Sequence, residues 1–251
     1  VFRRLAEGRA NKRGIPPSKS PPVTPLTIIK SVAVTHWFRA DLGVTLAAGK
    51  VSGWNDQVGS DHFVQAVVAQ QPTFAAADAT LSGIATITTD GVDDLITAPA
   101  NPSGQIFIAS VMKLIAPGAS GAFYSNQFGF SGDGNYVQCF GGNIYQAGPS
   151  ANANIDMGAV APMVGVWARY FDRRQNNAAD YIKIGSRAKV TGTPCPLAVG
   201  IGNFSLGGAT GVAIFQAMSY RELITCAGEP TPAELAALDA YFLKQSPIVA
   251  V

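Results

Sequence analysis

Residues able to do chemistry are few in this chain, and their spacing decides how they read. The densest group is KVSGWNDQVGSDHF, residues 50 to 63, which holds Trp54, Asn55, Asp56, Gln57, Asp61 and His62. Amides, carboxylates and an imidazole this close together suit a site that hydrogen-bonds a ligand, or a turn that hydrogen-bonds its own backbone. His36 and His62 are the only two histidines. Neither stands beside a serine or cysteine in a nucleophile elbow, and the two are not at metal-ligand spacing, so a serine or cysteine hydrolase is not expected.

Asp90, Asp93 and Asp94 in TTDGVDDLI form the second group. Three carboxylates could ligate calcium, or two could act as a glycosidase pair, because both chemistries need acidic oxygens converging on one point. Asp-Gly followed by an apolar pair is equally the chemistry of a turn leading into a strand, and the remaining ligands of an EF-hand loop are missing. The turn reading is preferred, and no metal is expected. VGIGNFSLGGATG has the glycines of a phosphate loop without its spacing, and reads as a loop between strands. Cys139, Cys195 and Cys226 are widely spaced in apolar or Gly/Pro-rich surroundings, which suggests buried free thiols rather than a disulfide framework or zinc.

Composition and pattern define the scaffold around these residues. Hydrophobic residues make up 47% of the 251 and charged residues 14%, so a large core lies under a surface of Ser, Thr, Asn, Gln and Gly. The net charge of +2 hides an asymmetry, because Arg3, Arg4, Arg9, Lys12, Arg13 and Lys19 crowd the first 22 residues against Glu7 alone. The remainder is slightly acidic and is not expected to bind polyanions in general. Residues 1–26 are therefore expected to form a basic arm, rich in proline (Pro16, Pro17, Pro21, Pro22, Pro25), without a core of its own. Its six basic residues are the candidate partner-binding set, and a protein partner is favoured over nucleic acid because interleaved aromatics are lacking. No charged-then-apolar leader or membrane-length apolar run is visible, so a soluble protein is expected.

From residue 27 to 251 a single β-rich domain is expected, with short apolar segments punctuated by Gly, Pro, Asn and Asp as in a sandwich or barrel. Candidate strands run over 27–37, 63–68, 85–88, 105–114, 123–128, 136–140, 165–172, 180–184, 197–201 and 211–220. One helix is expected at 231–244, where Thr231 caps, Pro232 opens, Glu234 completes a capping box, and Leu235, Leu238, Tyr241 and Phe242 form a stripe.

Taken in order, HWFRADLGVTL, KVSGWNDQVG, QQPTF and TTDGVDDLI resemble the opening half of laminin-G-like, concanavalin A-like jelly-roll domains of bacteriophage and bacterial surface proteins. AMSYRELITCAGEPTPAELAALDAYFLK resembles their last core strand and short capped helix. The resemblance spans roughly residues 35 to 245 and implies an all-β, two-sheet antiparallel jelly-roll sandwich. It also implies that Trp54 belongs to the core while Asn55, Asp56, Gln57 and Gly59 turn the chain, a ligand-contacting loop being the alternative.

The function implied by this resemblance is that of a non-enzymatic bacteriophage virion structural protein. The expected form is a multi-copy capsid decoration or cement protein, located in the virion, whose arm contacts the major capsid protein or other virion proteins. No cofactor is expected. The rival is a carbohydrate-binding fibre adhesin or lectin-like module for host glycans, using Tyr124, Asn126, Tyr136, Asn143 and Tyr145. A glycan hydrolase or lyase of the same fold would need converging carboxylates, and none can be paired from sequence.

Overall fold

The computed structural model describes residues 22–99, 106–116, 120–125, 136–140, 143–147, 155–159, 163–174, 179–194, 204–209 and 212–247. The six basic residues of the arm, from Arg3 to Lys19, and the strand expected at 197–201 lie outside them. The described chain opens with the four-residue helix α1 (Pro25–Ile28). The strands β1 (Val34–Arg39), β2 (Val44–Ala47), β3 (Lys50–Trp54), β4 (Phe63–Val64), β5 (Thr73–Asp78), β6 (Ile84–Asp90) and β7 (Ile96–Ala98) come after it. Next are β8 (Ile106–Ala116), β9 (Ser120–Ser125), β10 (Tyr136–Phe140), β11 (Asn143–Ala147) and β12 (Ile155–Ala159). β13 (Trp167–Arg174), β14 (Ala179–Ile184), β15 (Val190–Pro194), β16 (Phe204–Leu206), β17 (Gly208–Ala209), β18 (Val212–Phe215) and β19 (Ala217–Cys226) lead to the helix α2 (Pro232–Gln245).

All pairings between these strands are antiparallel, and two runs of neighbours emerge from them. In the first, β8 lies between β19 and β13, with β14 and β15 beyond β13. Along its other edge β19 meets β6 with Ala217 to Tyr220, then β1 with Glu222 to Cys226. In the second, β3 joins β2 to β4, and β7, β16, β9, β10, β11 and β12 continue the order. β5 pairs with β6 at the edge of the first run, and among the described residues the pair Lys50↔Thr73 between β3 and β5 links the two runs.

β8 shows why its sequence, IFIASVMKLIA, is apolar nearly throughout: both of its faces are covered. Ile106, Ile108, Met112 and Leu114 point into a core shared with Trp54, Phe63, Phe123, Phe204 and Leu206 of the second run. Phe107, Ala109 and Val111, at the alternate positions, pack with Leu238, Tyr241 and Phe242 of α2. β19 keeps this two-sided register through a bulge at Arg221, so that Met218, Tyr220 and Leu223 all reach the first core.

The all-β architecture with a short C-terminal helix matches the expectation. Thr231 caps α2 with the expected box: its hydroxyl accepts from Glu234 N–H, and Glu234 accepts from Thr231 N–H at 2.9 Å. The expected strand at 27–37 is half wrong. Pro25 opens a helical turn instead, in which the Thr27 hydroxyl accepts from Thr24 N–H at 2.9 Å, and the strand begins only at Val34. The strand expected at 63–68 stops at Val64, and Val68 starts a single 3₁₀ turn. The segment 211–220 is two strands broken at Gln216, whose carbonyl accepts from the Thr89 hydroxyl at 2.7 Å.

Candidate functional site

Within residues 50 to 63 the side chains of Trp54, Asp56, Gln57 and His62 are committed to backbone groups of the turn and of β1. The Trp54 ring is fully buried, 5.5 Å from Phe38 and 6.1 Å from Phe63 between ring centroids, and its Nε1 donates to the Arg39 carbonyl at 3.0 Å. Asp56 Oδ1 accepts from the N–H groups of Trp37 (2.9 Å) and Val58 (3.0 Å), and Oδ2 accepts from Gly59 N–H at 3.1 Å. His62 Nδ1 accepts from Asp56 N–H at 3.0 Å, and Gln57 donates to the Asn55 carbonyl. Such bonds replace the ladder partners lost where a strand turns. His36 is equally occupied, with Nδ1 2.7 Å from the Thr225 hydroxyl in a buried setting.

The loop between β6 and β7 is different. Asp90 Oδ1 accepts from the N–H groups of Val92 (2.8 Å), Asp93 (3.3 Å) and Asp94 (3.3 Å), so Asp90 does close the turn. Partial burial raises its pKa, but these three bonds outweigh it and hold the carboxyl below the usual range. Asp94 is 2% exposed. Its Oδ2 accepts from Asp90 N–H at 3.0 Å, while Oδ1 is buried without a hydrogen-bond partner. Burial, then the negative charge of Asp90, pushes Asp94 up to about 6. One oxygen from each of Asp90, Asp93 and Asp94 lies within 4.8 Å of the others.

Of the five residues named for a sugar surface, the strand register places three in one row. Tyr136 stands opposite Ala147, Gln138 opposite Tyr145, and Phe140 opposite Asn143, so Tyr136, Asn143 and Tyr145 share a parity on the β10–β11 pair. Tyr145 is in turn opposite Asp156 of β12, which is exposed while the adjacent Ile155 is buried in the core. Tyr124 stands opposite Val137 on the alternate row, and Asn126 lies outside the described residues.

Sequence reasoning missed a groove of about 430 Å³ between α2 and the β13–β14 face, lined by Tyr181, Lys183, Lys189, Glu229, Leu235 and Asp239 among others. The Tyr181 hydroxyl donates to Glu229 at 2.8 Å, Arg173 reaches the same carboxylate at 2.6 Å, and Lys189 covers the ring at 4.5 Å. Glu229 thereby joins Tyr181 to Arg173, and no local motif marks these residues in the sequence. Cys226 is buried and free, its thiol pushed up to about 12 by burial. No helix among the described residues is long and apolar enough to cross a membrane.

No family model and no curated protein matches the chain. Solved structures do. Sialidase of Trypanosoma rangeli in complex with sialic acid superposes with a TM-score of 0.62 at 9% identity, over 90% of this chain and 36% of that one. The receptor-binding domain of botulinum neurotoxin type G gives 0.59 at 10% identity, over 83% and 51%. Domain 4 of AbnA, a GH43 extracellular arabinanase from Geobacillus stearothermophilus, in complex with arabinotriose, gives 0.58 at 15% identity, over 84% of this chain and 100% of that one. The chain thus spans about a third of the sialidase and the whole of the arabinanase domain. At such identities the likeness is one of fold.

These findings correct the functional expectations. The solved structures that match are sialidases, a domain of an arabinanase, an α-L-arabinofuranosidase and toxin binding domains, not bacteriophage virion proteins. A capsid decoration or cement role, with the major capsid protein as partner, therefore does not stand. The exclusion of an enzyme is withdrawn as well. It rested on the lack of convergent carboxylates, and the structure brings three together from one loop on a fold that sialidase chains also contain. Sequence could not show this, because which carboxylates converge is set by the turn geometry and the burial of Asp94.

Proposed function

We propose that this chain is a carbohydrate-binding domain, built as a concanavalin A-like jelly roll of two antiparallel sheets. The observation that carries the reading is the match to the arabinotriose-bound domain of the arabinanase, which is covered over its entire length. The sandwich is supported by a core that draws on both runs of strands, with Met112 and Leu114 of one meeting Phe63, Phe123 and Phe204 of the other. The sugar surface is assigned to β10–β12, along the row that ends at exposed Asp156. The strand register puts Tyr136, Asn143 and Tyr145 in that row, in line with Asp156, and tyrosine, amide and carboxylate are residue types suited to orienting sugar hydroxyl groups.

Calorimetric titration of the full chain with arabinotriose and with sialic acid tests this, with release of reducing ends followed in parallel as a readout of turnover. Saturable binding of one of these sugars is expected, weakened at least about tenfold in Tyr145→Ala, the loss of one stacking contact. The melting temperature of that variant should stay close to the parent's. If neither sugar nor a broad panel of plant and animal glycans binds, the reading fails.

A further inference from the structure

We propose that the groove between α2 and the β13–β14 face binds a small organic phosphate through Lys183 and Lys189. Its volume of about 430 Å³ falls in the range of about 300–1,000 Å³ over which protein pockets take small molecules. Tyr181 and Lys183 alternate along β14 and stand opposite Arg173 and Phe171 of β13, which brings all four to the face under α2. Arg173 Nη1 reaches Glu229 Oε2 at 2.6 Å, and Arg169 Nε lies 3.1 Å from Asp239 Oδ1. Each carboxylate of the groove thus has a guanidinium of its own, and the two lysines are left over. Among the described residues neither lysine has an ion pair or a hydrogen bond. Lys183 Nζ stands 5.7 Å from the Phe171 ring centroid and Lys189 Nζ 4.5 Å from that of Tyr181, so the rings hold both ammonium groups at the groove.

The charge left over selects the ligand. Two ammonium groups match a phosphate monoester, which carries about −1.5 to −2 at pH 7, better than a carboxylate or sulfate ester with a single charge. The arginines, whose planar forks suit carboxylates, are already engaged by Glu229 and Asp239, whereas lysine meets phosphate as a point charge. Pro232 and Leu235 of α2 and Phe171 of the sheet add an apolar wall, which calls for an organic body on the anion. Pro232 is exposed and Leu235 half-buried, so that wall is reached from solvent. A further sign comes from Arg169, which is only 4% exposed: its Nη1 is buried beside the Asp239 wall with no hydrogen-bond partner. Negative charge in the groove lowers the cost of burying that donor. The site does not depend on the sugar reading.

The test titrates the full chain with phenyl phosphate in a calorimeter, in low-salt buffer at about pH 7.5, where the ester is mostly dianionic. Saturable binding is expected, weakened at least about tenfold in Lys183→Gln and in Lys189→Gln, the loss of one charge-assisted contact. Both variants should melt within about 3 °C of the parent, because each ammonium gives the fold only a ring contact, so misfolding does not confuse the result. Lys189→Glu should abolish binding. Phenyl sulfate, similar in shape with one charge fewer, should bind at least about threefold more weakly. Inorganic phosphate, which has nothing to lay against Pro232 and Leu235, should also bind more weakly. No binding up to about 10 mM phenyl phosphate would overturn the proposal. So would an affinity that survives in Lys183→Gln and Lys189→Gln alike, and equal affinity for phenyl sulfate would overturn the choice of a phosphate.

Discussion

The indole Nε1 of Trp37 donates to Oε1 of Glu222 at 2.6 Å inside the layer between the central strands and α2. The Tyr241 hydroxyl donates to the same oxygen at 2.9 Å. One carboxylate thereby ties β1, β19 and α2 together, and it is fully buried with Oε2 unpartnered. Desolvation dominates over these two bonds and over nearby Arg221 and Arg39, and it pushes Glu222 up to about 7.

A raised carboxyl pKa means that the fold holds this proton more tightly than the unfolded chain does. The associated stability is complete below the ordinary value of 4.5 and is lost as pH rises to about 7. Asp94 adds a slope of the same sign between 3.8 and about 6. Wild-type melting temperature should therefore fall between pH 5 and pH 8, and Glu222→Gln should flatten that fall while keeping an acceptor for Trp37 and Tyr241. Thermal melts across this range decide it. A Glu222→Gln profile parallel to wild type would show that the carboxyl is ionised throughout.

Trp54 anchors the end of β3 against Phe38 and Phe63, with none of its surface exposed. Trp54→Ala should cost roughly 3–5 kcal/mol in urea unfolding, the usual range for truncating a buried large aromatic. Sugar binding by the surviving folded fraction should be unchanged. A stable Trp54→Ala protein that no longer binds sugar would move the sugar surface to residues 50 to 63.

Elements whose signals are local were legible in the sequence. The Thr231, Pro232 and Glu234 box and the stripe ending in Tyr241 and Phe242 specify α2 without help from the rest of the chain, and β10 ends at the expected residues. The turn after Trp54 was legible for the same reason. β7 and β16 were not, because three-residue strands such as ITA and FSL become strands only by pairing with each other and with β4 and β9. The acidic loop was half legible. Asp-Gly announces the turn that Asp90 closes, but nothing local says that Asp94 is buried or that one of its oxygens is left without a partner.

Glu234 does more than cap its helix. Its carboxylate accepts from Lys30 N–H at 2.5 Å, from Ser31 N–H at 2.8 Å and from the Ser31 hydroxyl, which pins the segment after α1 to the start of α2. The Ser31 hydroxyl first, then the Lys30 N–H, hold it at about 2. This contribution is present above the ordinary value of 4.5 and fades as pH falls toward about 2. In Glu234→Gln the amide hydrogens of Lys30 and Ser31 should exchange at least about tenfold faster, a local opening that leaves the β8 amides protected. Uniform acceleration across the chain would instead make Glu234 a global determinant of stability.

Gly91 should be the least replaceable residue of the acidic loop. Its φ of 78° lies in the left-handed region, and a Cβ there would sit 2.6 Å from the backbone nitrogen of Ala217, which cannot move without breaking the start of β19. Gly49 offers the matched control, with a φ of 82° and nothing within 4 Å of its added Cβ. Gly49→Ala should therefore show only the strain of a positive φ, roughly 1–2 kcal/mol. Gly91→Ala should exceed it by at least about 1 kcal/mol, the lower end of overpacking costs, because the loop must lift from β19. Equal costs for the two substitutions in urea unfolding would show that the loop is not clamped against Ala217.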